Sequence, residues 1–145
     1  MAYTHGQRDV LLLTSGGVPR ISCTGGLLLR HAPGYQPYYV RALAVQCMTT
    51  IAITIAPVVS FWESSAAGAT SGSWTAIDTV AITTAGHTQG QVFYVQSLQT
   101  KIEPGHEIVA QITTVTTEAA IVQATAYIEA VTDAPGNDTL MTESA

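Results

Sequence analysis

From Ala120 to Ala130 the chain alternates almost without a fault. Ala120, Val122, Ala124, Ala126, Ile128 and Ala130 fall on one phase, and Gln123, Thr125, Tyr127 and Glu129 fall on the other. Apolar residues on a helix face recur at three and four, whereas successive strand residues point to opposite sides of a sheet. A period of two held over ten positions is therefore a half-buried strand. Two more strands precede it. Gly90 to Leu98 is dense in the β-branched and aromatic residues that suit a pleated surface. From Glu107 the alternation resumes, with Ile108, Ala110 and Ile112 on one phase and Val109, Gln111 and Thr113 on the other. Glu103-Pro104-Gly105-His106 joins these two. Proline sets φ near −65° and the following glycine accepts φ > 0, so Pro104 and Gly105 are expected to form a type II turn.

The rest of the chain reads the same way. Strands are expected over Val10–Thr14, Arg20–Arg30 (bent at Gly25-Gly26), Val40–Met48, Ile51–Ile55, Val58–Trp62, Trp74–Ile77 and Val80–Thr84. Breaker clusters such as Ser15-Gly16-Gly17-Val18-Pro19 and His31-Ala32-Pro33-Gly34 separate them. No segment keeps a helical period. About eight strands with turn signals at short intervals mark an all-β, antiparallel sandwich or barrel. Residues 1–9 read as an N-terminal arm, 10–131 as the β domain, and 132–145 as an extended C-terminal tail.

Charged residues make up 10% of the chain, against about 25% in an ordinary soluble domain. Hydrophobic residues reach 47%, yet no run approaches the ~18–20 apolar residues of a membrane helix. Either a core is padded with alanine and threonine, or part of the surface meets protein rather than water. Val10 to Leu13 is too short for a secretory apolar core. Cys23 and Cys47 form no disulfide framework, so synthesis in a reducing cytosol with free thiols is expected. Charge is unevenly spread. The first 41 residues hold four arginines against Asp9, and the remainder holds Lys101 against nine acids. That asymmetry points to a basic N-terminal segment docking on an acidic surface. Four dispersed arginines make no phosphate-binding patch, so no nucleic-acid partner is expected.

Enzyme motifs are missing: there is no nucleophile elbow, no phosphate-binding loop and no dinucleotide fingerprint. His5, His31, His87 and His106 are scattered over loops and the arm, so neither a metal nor a cofactor is expected. Glu103 and Glu107 flank the Pro-Gly turn, an ordinary place for two solvated acids. The aromatic residues say more. Tyr35, Tyr38, Tyr39, Trp62 and Trp74 stand near expected turns and strand ends, where such rings anchor protein interfaces or stack on sugars. Phe61 and Trp62 are adjacent, so one of them must point outward. With Arg8 of the basic arm, Tyr35, Tyr38, Tyr39, Trp62 and Trp74 are the candidate interface residues.

Gly90-Gln91-Val92-Phe93-Tyr94-Val95, then Ile102-Glu103-Pro104-Gly105-His106-Glu107-Ile108, then the alternating strand to Val131, resemble the C-terminal half of short viral jelly rolls. In particular they resemble the auxiliary capsid proteins, decoration or cement proteins, of tailed bacteriophages. His106 stands where that family commonly has Asp. The resemblance implies a jelly-roll-like sandwich and a homo-oligomer, a trimer, bound to the major capsid protein on the capsid exterior, with extended termini that clasp neighbours. Jelly rolls also serve as carbohydrate-binding modules, which is the alternative function.

Overall fold

The computed structural model describes residues 8–31, 34, 36–66, 68, 72–83 and 87–131. These contain nine strands and no helix. They are β1 (Arg8–Leu12), β2 (Ile21–Ser22), β3 (Leu28–His31), β4 (Tyr38–Cys47), β5 (Val58–Ser64), β6 (Trp74–Ala81), β7 (Val92–Ile102), β8 (Glu107–Thr114) and β9 (Ile121–Ala130). One sheet has the order β1-β9-β4-β7, with β2 also pairing β9; the other has the order β3-β8-β5-β6. All pairings are antiparallel. Apart from the β5–β6 hairpin and the break between β1 and β2, every connection passes from one sheet to the other. With β1 and β2 taken as one interrupted strand, that pattern is an eight-stranded jelly roll. The all-β antiparallel sandwich read from the sequence is the fold observed.

The core lies between the sheets. The inward phase of β9 is small: Val122, Ala124 and Ala126, with Ala120 just before the strand, are all fully buried. Large side chains from other strands share the cluster with them, among them Phe61, Leu29, Leu43 and Ile108. Small residues set against large ones fill a core without strain. The adjacent aromatics divide as their alternation demands: Phe61 is fully buried and Trp62 faces out.

Several expected boundaries move. Ile51–Ile55 is not a strand. Ile51 makes a single bridge to His87, Ile53 caps the core at 5% exposure, and Ile55 is exposed. An apolar run can plug the end of a sandwich as well as pair in a sheet. Arg20–Arg30 is two strands in different sheets, and the chain turns between them at Gly25 and Gly26, with φ of 96° and 105°. A β-branched or bulky residue would be a strained outlier there. Trp74–Ile77 and the first residues of Val80–Thr84 merge into β6, whose register shifts between the partners of Phe61 and Trp62, and Thr84 lies outside the described residues. Asp78 accepts the Thr79 amide beside that bulge at 2.7 Å. Finally, β1 begins at Arg8, inside the expected arm, because Arg8 and Asp9 pair with Glu129 and Ile128. Backbone pairing at a sheet edge requires no apolar side chain. Residues 1–7 and the tail 132–145 lie outside the described residues.

Candidate functional site

The two sheets present very different outer faces. On the first sheet three cross-strand rows run over β1, β9, β4 and β7. Val10, Tyr127, Ala42 and Gln96 make the first, and Leu12, Thr125, Ala44 and Tyr94 the second. Gln123, Gln46 and Val92 make the third. Val10 is 50% exposed, Leu12 39%, Val92 46%, Tyr94 62% and Tyr127 43%. Small alanines floor the middle of this surface and aromatic or branched residues rim it. Clustered exposed apolar residues mark a surface built to meet something other than water.

Toward Arg8 and Glu129 the same face turns polar. At Arg41 β4 carries one residue more than β9, and across from it β7 carries Ser97, Leu98 and Gln99 between register positions. Ser97 has φ of 65°, a left-handed conformation costly for a side chain other than glycine. These paired irregularities open a groove of about 950 Å³ lined by Arg8, Arg41, Gln96, Ser97, Gln99, Tyr127 and Glu129, among others. Arg41 Nε donates to Glu129 Oε1 at 2.9 Å, and its guanidinium lies 4.9 Å from the Tyr39 ring centroid. The carboxylate and the ring together hold Arg41 in one orientation.

The outer face of the second sheet is covered around Val109 and Glu107. Val109 pairs with Arg30 on one side and Trp62 on the other, and it is fully buried. Arg30 Nη1 donates to Glu107 Oε1, and the Gly68 amide donates to the same oxygen at 2.9 Å. Ser65 N donates to Ser73 O at 3.1 Å, closing the β5–β6 connection on itself. The Trp62 and Trp74 rings pack at 4.9 Å between centroids, tilted by 31°. Glu107 therefore goes to Arg30, while Glu103 stands with Lys101 at 3.8 Å, so the two acids flanking the turn part company. At that turn Gly105 has φ of 82° and the His106 amide donates to Glu103 O at 3.1 Å.

The expected interface residues thus scatter. Arg8 lines the groove and Tyr39 lies beside it, under Arg41. Trp62 and Trp74 pair on the opposite face. Tyr38 is corrected to the core: it is 8% exposed, because its strand phase points between the sheets. Burial, with Glu63 adding its charge, pushes the Tyr38 hydroxyl up to about 12. Tyr35 lies outside the described residues. Tyr94 and Tyr127 were missed, although the outward phase of the two alternating strands contained them. Cys23 and Cys47 are buried, unpaired and on opposite sides of β9. Burial, helped by Cys47, raises the Cys23 thiol to about 12, and burial raises Cys47 to about 11, which makes both inert. Among the described residues no three His, Cys, Asp or Glu side chains are grouped to hold a metal ion.

No family model and no curated protein matches the chain. Solved structures do overlap it. A chain of the cyanophage Pam1 capsid asymmetric unit is 10% identical with a TM-score of 0.45, over 88% of this chain and 87% of that one. A low-affinity xylan-binding module from the gut symbiont Roseburia intestinalis is 13% identical with a TM-score of 0.37, over 87% and 97%. A structure of the Gt strain of infectious bursal disease virus is 12% identical with a TM-score of 0.25, over 88% of this chain and 41% of that one. Two of the three come from viral particles. Identities and scores this low decide no function, and the fold class rests on the strand order alone.

Proposed function

We propose that this chain is a structural virion protein, made in the host cytoplasm, that decorates and stabilises a phage capsid and performs no catalysis. Its partners are further copies of itself, as a homotrimer, and the major capsid protein on the capsid exterior; nucleic acid and membrane are not among them. The observation that carries the reading is the bare apolar outer face of the first sheet, centred on Leu12, Val92 and Tyr94. The large exposed apolar side chains borne by the strands all lie on the first sheet, which gives this jelly roll an apolar surface to bury in an assembly. The low charge content fits a subunit whose surface is only partly wet. Electron cryo-microscopy of purified particles of the virus that encodes the chain tests the reading. Trimeric density on the outer surface, with Tyr94 and Leu12 covered by a neighbour, is expected. Particles lacking the chain, or holding it with this face open to solvent, would overturn it.

A further inference from the structure

The polar groove beside the apolar face has a chemistry that subunit packing does not require. Two strands depart from regular pairing at the same level, at Arg41 in β4 and at Ser97–Gln99 in β7. Of the described non-glycine residues, Ser97 is the one with positive φ, and it lines the groove that results. Bulges re-aim side chains, and backbone strain collects where a ligand is held. What they aim here is consistent. Gln96, Ser97 and Gln99 are exposed, and the Tyr127 ring is open along the side of the groove. Arg41 is held by Glu129 and Tyr39, with its side chain 36% exposed.

Charge decides the ligand class. Arg8, Asp9, Arg41 and Glu129 all line the groove, so its formal charge cancels and it selects neither a polyanion nor a polycation. Amide and hydroxyl groups, each able to donate and accept, suit neighbouring hydroxyls of a neutral molecule. An exposed tyrosine ring suits the apolar face of a pyranose. The volume of about 950 Å³ is at the upper end of small-molecule sites. From this geometry we infer that the groove binds a neutral oligosaccharide, with Tyr127 stacking on a sugar ring and Gln96, Gln99 and Arg41 holding its hydroxyls. This activity is separate from the structural role and does not rest on it.

A microarray of neutral and acidic oligosaccharides, followed by titration calorimetry with the best neutral binder, tests the inference on the full chain. Binding to a neutral class is expected. Tyr127→Ala and Gln99→Ala should each weaken it about tenfold, and Trp62→Ala on the opposite face should leave it unchanged. Circular dichroism of each variant separates lost binding from lost folding, and Tyr127→Phe keeps the ring where Tyr127→Ala fails to fold. Sedimentation run in parallel reports the oligomeric state, so failure of the glycan site and failure of the assembly reading are told apart. No binding on the array, binding only of acidic glycans, or binding indifferent to Tyr127 and Gln99 would overturn the inference.

Discussion

The two outer faces of this sandwich obey the same pleat and end differently. On the second sheet, Val109 is fully buried and the Glu107 side chain is 5% exposed, because Arg30, Trp62 and the Gly68 amide cover them. On the first sheet, Tyr94 is 62% exposed and Val10 50%, and among the described residues nothing lies over them. Strand alternation dictates which residues share a face. It does not dictate whether the chain returns to cover that face. On one side Arg30 and the Gly68 amide reach Glu107, and on the other the apolar residues wait for a partner.

The largest test of this contrast lies on the covered face. Replacing Glu107 by Ala leaves the Arg30 guanidinium and the Gly68 amide without their shared acceptor. Breaking a buried pair costs about 3 kcal/mol or more, and Arg30 is three-quarters covered, so a loss of about 3 kcal/mol is expected in urea unfolding. A loss under about 1 kcal/mol would mean that the face is not sealed by this pair. Between the faces, Gly105→Ala puts a Cβ on a residue with φ of 82°. It meets no neighbouring atom, so the cost is backbone strain alone, about 1 kcal/mol. Equal stability of the variant would remove the strain argument.

Acid should weaken the fold through the end of the sandwich that holds His87, Thr54 and Glu118. His87 is 1% exposed, and burial lowers its pKa below 6.5 against an opposing hydrogen bond at Thr49. Folded His87 stays neutral while the unfolded chain gains a proton below pH 6.5. Its contribution is therefore full above that pH and falls as the pH drops beneath it. The Glu118 carboxylate joins the β8–β9 connection to Thr54, and bonds led by Thr116 and the Thr54 amide hold it down to about 2. It is stabilising above pH 4.5 and loses that contribution as the pH falls toward 2. Melting curves from pH 7.5 to 3 should show an early decline that His87→Gln abolishes and a later one that Glu118→Gln abolishes. A single decline indifferent to His87 would contradict the first assignment. The smallest effect belongs to the bare face, where Tyr94→Ser should change unfolding stability by about 0.5 kcal/mol or less when measured on dilute protein.

The sequence announced its strands better than its surfaces. The unbroken alternation of Ala120 to Ala130 identified β9, and the adjacency of Phe61 and Trp62 foretold that one ring would face out. Ile51–Ile55 misled because apolar content does not distinguish a strand from a plug across the sandwich end. Tyr38 misled because nearness to a turn says nothing of strand phase. Tyr94 and Tyr127 sat on the outward phase in plain view. Their importance came from Ala42 and Ala44 lying between them in the sheet, a neighbourhood created by pairings about 50 and 85 residues apart in sequence. The groove was hidden for the same reason, since the irregularities at Arg41 and Ser97 exist only where β4 meets β9 and β7.

The bare face should be an interface between copies. Sedimentation velocity of the full chain between about 1 and 100 μM at neutral pH, beside Tyr94→Glu, measures this directly. The prediction is a trimer for the native chain and a folded monomer for the variant, because a charge placed beside Val92 and Ala44 cannot be buried without a partner. A native chain that remains monomeric throughout, or a variant that associates as tightly as the native chain, would contradict it.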